Sequence, residues 1–248
     1  MTAATNQQVC SVDCSQCERL VVFRRANEQK YPTFFNGAVP SFGGIDAKLL
    51  IVGLAPGLKG ANQTGRPFTG DYAGDTLYAA MVKHGLAKGV YDKHVDDGLE
   101  LIGSRITNAV RCVPPENKPE ASEINQCNPY LLKELEAMPQ LKILISLGGI
   151  SHKAIIKALG LRQKDYAFGH ANEHEISVGL KGGQKTDPAE SVTPATMEQR
   201  TASTAVKQRK ILLLDSYHCS RYNVNTGRLT EEMFDGIIAR AAEVVYRG

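Results

Sequence analysis

Leu49-Leu50-Ile51-Val52-Gly53-Leu54, running on through Ala55-Pro56-Gly57-Leu58-Lys59-Gly60 to Gly65-Arg66-Pro67-Phe68-Thr69-Gly70-Asp71, is the stretch that decides the fold. An apolar run this short, without polar alternation and closed by turn residues, is a strand buried on both faces. Working outward, Thr107 to Val110, Lys142 to Leu147 and Ile211 to Leu214 read as further strands. Helices separate them. Asp75 is placed to cap one that carries Leu77, Ala80, Met81 and His84 and stops at Gly85. Pro119 and Glu120 suit the first turn of another, with Ile124, Cys127 and Leu131 on one face and a bend expected at Pro129. A third follows Gly148-Gly149 through Ile155, Ile156 and Leu159, and a fourth, behind Thr230, aligns Phe234, Ile237, Ile238, Ala241 and Val245. The implied class is α/β: a single three-layer domain over residues 11–248 with a central, mainly parallel sheet. Its functional site belongs beyond the carboxyl ends of the strands.

Residues 1–10 read as a polar tail. Residues 175–207 hold no aromatic side chain and few large aliphatics among Gly, Ser, Thr, Gln and Pro, so a flexible surface insertion is expected there. The 248 residues carry 29 Lys and Arg against 26 Asp and Glu, a net charge of +3. That excludes a polycation and an acidic tail protein, and leaves room for a local basic face that meets phosphates. Met1 to Gln8 form neither a basic nor an apolar leader segment, and no run reaches the roughly 18 apolar residues of a membrane span. The expectation is a soluble cytoplasmic protein.

In a reducing compartment the six cysteines are packing residues, ligands or nucleophiles. Cys14 and Cys17 form C-x2-C, and Cys112 and Cys127 form a distant second pair. Four thiolates so spaced can close on an iron–sulfur or a zinc centre. Cys10, Cys14 and Cys17 also have the C-x3-C-x2-C spacing of radical S-adenosylmethionine enzymes. Both readings stand on spacing alone, beside the bland one of unrelated buried thiols.

Two polar loops follow strands. The first, Gly53 to Asp71, is rich in glycines that let backbone approach a ligand, yet it lacks the Gly-Lys-Ser/Thr ending of a phosphate loop. Phe68 in it is either a flat surface for a planar ligand or a core plug. The second, Asp215 to Arg228, sets His218 directly past a buried strand with Arg221 and Arg228 behind it. Cys219 beside His218 invites a thiol-nucleophile reading, which the opposite directions of adjacent side chains on extended chain oppose.

Together, GLAPG…TGRPFTGD at Gly53 to Asp71, TNAVRCVPPENKP at Thr107 to Pro119 and SYHCSRYNVNTGRLT at Ser216 to Thr230 resemble the uracil-DNA glycosylase superfamily, within it the iron–sulfur branch called family five or type B. The resemblance covers Cys14 to about Phe234, apart from the insertion. Leu54 stands where family-four enzymes carry an acidic residue, which selects the type B branch. The resemblance implies a uracil-DNA-glycosylase-like fold and a monofunctional DNA-repair glycosylase. Such an enzyme hydrolyses the N-glycosidic bond of uracil, and of other deaminated bases such as hypoxanthine and xanthine. It implies a 4Fe-4S cluster on Cys14, Cys17, Cys112 and Cys127, leaving Cys10 and Cys219 extra. His218 corresponds to the group at the departing base, and Asp71 and Asn117 to those that position water or support the cationic sugar. Gly53, Phe68 and Asn108 hold the base, and Arg221, Asn223 and Arg228 meet DNA. The implied partner is damaged DNA with a flipped-out base, bound by a monomer and without a membrane. Arg66, Arg111 and Lys118, in or beside the same motifs, are further expected phosphate contacts. The competing readings are a non-catalytic nucleic-acid-binding protein of this fold and the radical enzyme.

Overall fold

The computed structural model describes residues 10–179 and 208–247. In chain order the elements are α1 (Glu18–Lys30), β1 (Leu49–Gly53), α2 (Ala61–Thr64), α3 (Tyr72–Lys83), β2 (Ala87–Lys88), β3 (Glu100–Leu101), β4 (Ser104–Asn108), α4 (Ala121–Ala137), β5 (Ile143–Leu147), α5 (Gly149–Ala158), β6 (Glu173–Gly179), β7 (Gln208–Ser216), α6 (Arg221–Asn225) and α7 (Glu231–Tyr246). Five strands form one sheet in the order β4-β1-β5-β7-β6, and β2 pairs with β3 separately. β4, β1, β5 and β7 run parallel; β6 is antiparallel to β7.

The doubly buried strands sort their side chains by parity. Leu49 and Ile51 pack with α3 and α7, whereas Leu50 and Val52 pack with α4 and α5. All five residues of β1 are buried, as its unbroken apolar run requires. The register sets Gly53 beside Asn108 and Ser146 beside Asp215, so the carboxyl ends of four strands share one edge. Among the described residues, no helix is long and apolar enough to cross a membrane.

Four local expectations change. Asp71, not Asp75, caps α3: its backbone is extended (φ −125°, ψ 170°) and its side chain accepts from the Gly74 N–H, while Asp75 sits inside the first turn. The strand expected at Thr107 to Val110 lies at Ser104–Asn108, because pairing with β1 fixes it. α4 continues through Pro129, held at its start by a reciprocal capping box between Glu120 and Glu123 and along its length by buried Leu131 and Leu135. Residues 175–179, assigned by composition to a loop, belong to β6; an edge strand needs only one apolar face, which Ile176 and Val178 supply. The rest of that expected insertion, residues 180–207, and residues 1–9 of the expected tail lie outside the described residues.

Candidate active site

A cleft of about 770 Å³ opens at the carboxyl ends of β1, β4 and β7. Asp71 stands in its wall with one carboxylate oxygen committed: Oδ1 accepts the Gly74 N–H at 3.1 Å as the cap of α3. The other oxygen lies under the glycine loop. A Cβ on Gly57 would approach Oδ2 to 3.2 Å, and one on Gly60 to 2.5 Å. Only bare backbone can pass over this carboxylate, and Oδ2 accepts no hydrogen bond from a described residue.

Phe68 adopts a left-handed backbone conformation (φ +53°) that costs a non-glycine residue about 1–2 kcal/mol. Its surroundings hold it there. Tyr91 Oη donates to the Phe68 carbonyl at 3.2 Å, and α3 comes so close that a Cβ on Gly74 would sit 1.8 Å from the same oxygen. The buried Phe68 ring meets the backbone of Gly53, where an added Cβ would lie 2.7 Å from the ring and 2.3 Å from Asn108 Oδ1. Gly53 therefore lets Phe68 and Asn108 converge. The Asn108 amide faces the cleft and bonds to no described side chain or backbone group.

His218 completes this corner, its ring 6.0 Å from that of Phe68 and inclined by 27°. Its carbonyl accepts the Asn223 side-chain N–H at 2.8 Å, while Ser220 caps α6. Burial holds the His218 pKa below its ordinary value, against an opposing pull from the Asp71 carboxylate. That shift favours the neutral ring, and neither of its nitrogens is bonded to a described residue. Cys219 points the other way, into the core, with its thiol donating to the Ala73 carbonyl. The pairing of Cys219 with His218 as a nucleophile does not form.

Around the rim, Asn117 is exposed in a 3₁₀ turn (Pro115–Asn117) with φ +56°. Arg221 borders the cleft with its guanidinium over Tyr72, whereas Arg228 stacks on Tyr217 outside it. Asn223 spends its amide on His218, so of the three expected DNA contacts only Arg221 reaches the cleft. Arg66 is not a surface cation: it is buried, forks onto Asp97 at 2.8 and 2.6 Å, and lies over the rings of Phe42, Tyr78 and Tyr91. Arg111 is buried against Glu134, which also binds Arg105. Lys118 is exposed. Lys59, Lys93 and Tyr72, which no motif pointed to, also line the cleft.

A second cavity collects the thiols. Cys14, Cys17, Cys112 and Cys127 surround it with Leu20, Val21, Val110 and Tyr130. Arg19 forks onto Glu123 at 2.8 Å and ties α1 to α4, and Arg24 donates to the Cys14 carbonyl, so the distant pairs are brought together. Cys10, which the resemblance sets aside, is also buried and lines the same cavity. Burial pushes the Cys112 thiol up to about 12 and raises Cys17 and Cys127, with neighbouring thiols adding to the rise. Such thiols ionise only against concentrated positive charge. Among the described residues, a separate group of donor atoms within 4.8 Å of one another is formed by His152, His174 and Asp215. Four thiols lining one cavity are a donor set of the kind that holds an iron–sulfur or a zinc centre. The radical-enzyme reading does not suit this architecture: such enzymes carry their cysteine loop on a barrel, whereas the described residues form an open five-stranded sheet, and Cys112 and Cys127 line the same cavity as Cys14 and Cys17.

Comparisons with known proteins agree on one family. A family model described as the uracil DNA glycosylase superfamily matches residues 40–242. A type-5 uracil-DNA glycosylase of Thermus thermophilus is 35% identical over 233 residues, 92% of each chain. One of Pyrobaculum aerophilum is 33% identical over 235 residues, 93% of this chain and 88% of the relative. A type-4 enzyme of Sulfurisphaera tokodaii is 37% identical over only 155 residues, 58% of this chain. With the type-5 relatives spanning nearly the full length and the matched region enclosing Gly53, Phe68, Asp71, Asn108, Asn117 and His218, this chain belongs to the uracil DNA glycosylase superfamily, in its type-5 branch.

Proposed function

We propose that the protein removes uracil from DNA by hydrolysing its N-glycosidic bond, leaving an abasic site. One observation carries the reading: a single cleft presents Asp71 Oδ2, the Asn108 amide and the His218 ring, none of them bonded to a described residue. Cleavage of the C1′–N bond leaves its electron pair on the base and cationic character on the sugar. The His218 N–H donates to the oxygen where the base accumulates charge. The Asp71 carboxylate supports the cationic sugar and takes a proton from the water whose oxygen bonds to C1′, with Asn117 orienting that water from the rim. Phe68 stacks on the extruded base, and Asn108 offers a donor and an acceptor to its edge, a pattern suited to uracil. Hypoxanthine and xanthine are weaker proposed substrates, admitted because Leu54 places no charge beside the base. Arg221 meets a backbone phosphate beside the flipped nucleotide. The protein acts as a monomer on DNA in the cytoplasm.

We further assign a 4Fe-4S cluster to Cys14, Cys17, Cys112 and Cys127. Bound there, it supplies a multivalent cross-link between the segment before α1, the end of β4 and α4. Its role is structural.

A uracil-bearing oligonucleotide, treated with alkali after incubation, tests the activity; release is expected from the wild type and a fall of at least 10³-fold from the pair Asp71→Ala and His218→Ala. Unchanged release by that double variant removes the site assignment, and salt-dependent binding without abasic product makes the protein a non-catalytic binder. The cluster predicts a brown protein that loses its visible absorbance in Cys112→Ala and keeps it in Cys10→Ala; a colourless protein with stoichiometric zinc overturns it.

A further inference from the structure

Behind the cleft wall lies an ionisable group that the reaction does not use. Asp215, on β7 three residues before His218, is fully buried. Its Oδ1 accepts from Ser146 Oγ and from His152 Nδ1, both at 2.7 Å. Its Oδ2 accepts the Gly169 N–H at 3.4 Å and lies 3.5 Å from His174 Nε2. The other ring nitrogen of the buried His152, Nε2, faces the Tyr166 carbonyl at 2.9 Å. A carboxylate and a carbonyl can only accept, so this geometry favours a hydrogen on both nitrogens: burial lowers the His152 pKa, but the bonds to Asp215 and the Tyr166 carbonyl together outweigh it and raise the pKa above its ordinary value. His174 Nε2 donates to the Ala167 carbonyl at 3.1 Å.

This buried pair grips a loop. Tyr166, Ala167 and Gly169 are held by the bonds just described, and the Asp215 backbone adds two more, to Ala171 and Asn172. The loop in turn braces the catalytic strand end. His170 stacks on Tyr217 at 5.2 Å, and its Nδ1 accepts the Tyr217 N–H at 3.3 Å; Phe168 packs against Tyr217 and over Gly149. Tyr217 is the residue before His218. The Gly148 backbone, where an added Cβ would touch His218 Cβ at 3.7 Å, closes the other side.

We propose that His152 and Asp215 are positioning residues that, through the loop at 166–170 and Tyr217, fix the His218 ring toward the departing base. The proposal rests on the reading of His218 given above. A buried ion pair is a poor source of stability compared with apolar packing of the same volume. Its directional bonds specify one loop position instead. The alternative use of His152, His174 and Asp215 as cation ligands requires the His152 Nδ1 proton to leave a hydrogen bond of 2.7 Å, and Nε2 is already committed.

The test compares wild type, His152→Gln and Asp215→Asn by single-turnover excision, affinity for uracil-bearing DNA and pH profile. The excision rate is expected to fall 10- to 100-fold with affinity changed less than twofold. The wild-type profile is expected to decline at alkaline pH as His152 loses its proton, and His152→Gln to lack that decline. The charged or titratable residues around His152 are Asp215 on β7, His174 on β6, Tyr166 in the loop and Lys153 on α5. Excision within twofold of wild type in folded variants overturns the proposal, as does stoichiometric metal that is lost in His174→Ala. Should the single variants not fold, the paired replacement His152→Leu with Asp215→Leu removes both charges together; full excision by it likewise overturns the proposal. His218→Ala separates the two levels: if it excises normally, the reading of the site has failed, whatever His152 does.

Discussion

Replacing Gly60 with alanine puts a methyl group where the structure has only backbone above Asp71. The added Cβ would lie 2.5 Å from Oδ2, 3.0 Å from Cγ and 3.2 Å from Cβ of Asp71, against 3.4 Å for an ordinary contact. Oδ2 must therefore retreat by 3.4 − 2.5 = 0.9 Å, and because Cγ and Cβ are also crowded, rotation of the carboxylate alone does not relieve the overlap. A misplacement of about 1 Å in a reacting group costs on the order of 10²-fold in rate, or about 2.7 kcal/mol. Gly57→Ala is the internal control: its Cβ at 3.2 Å from Oδ2 asks for a shift of only 0.2 Å, and a loss under about fivefold is expected. The assay is single-turnover excision from a uracil-bearing oligonucleotide with alkali cleavage of the product. A double-mutant cycle with Asp71→Ala isolates the mechanism: once the carboxylate is gone, Gly60→Ala has nothing left to displace and slows the reaction no further. Equal losses at Gly57 and Gly60, or full additivity with Asp71→Ala, refute the reasoning.

Three further outcomes follow from the same geometry. Asp71→Asn keeps an equally good cap on α3, so thermal stability changes by only a few tenths of a kcal/mol, whereas Asp71→Ala loses about 1 kcal/mol, or 2–4 °C in Tm; both lose excision. Arg66 holds Asp97 well below the usual carboxylate range, so the pair's contribution is fully present above pH 3.8 and is lost as acid titrates the folded protein; Asp97→Ala should cost about 3–5 kcal/mol at pH 7, measured by denaturant unfolding, with the gap to wild type closing only below pH 3.8. Binding to DNA should weaken with salt at a slope near −3.6 on log–log axes, from Lys59, Lys93, Lys118 and Arg221 at about 0.9 each; a slope near −5.4 means that Arg66 and Arg111 reach phosphates, contrary to their burial.

The strands and the residues of the cleft were legible because they depend on local chemistry: unbroken apolar runs at Leu49 to Val52 and Ile211 to Leu214, and polar loops after each. What stayed hidden depends on partners distant in sequence. β6 becomes a strand only because β7 offers it an edge, and Glu173 to Gly179 carries too little apolar surface to announce itself. α1 shows no stripe, since its buried residues include the polar Arg24 and Asn27, and Arg24 is satisfied by the Val12 and Cys14 carbonyls outside the helix. Arg66 and Arg111 read as surface cations because Asp97 and Glu134 are separated from them by 31 and 23 residues. Cys10 stands near Cys14 and Cys17 in the sequence, but that it shares a cavity with Cys112 and Cys127 shows only in three dimensions. His152 and Asp215, 63 residues apart, become neighbours through the register that sets β5 beside β7.

Asp71 gives one carboxylate two employers, the amide of Gly74 on one oxygen and the open cleft on the other. A population of variants selected only for surviving heat would accept asparagine at this position as readily as aspartate. The same population selected for genome upkeep would not. On the role proposed for Asp71, the position can thus report which pressure a lineage has been under: drift from Asp to Asn with the fold intact would mark a descendant that still folds around its glycine loop but has given up turnover.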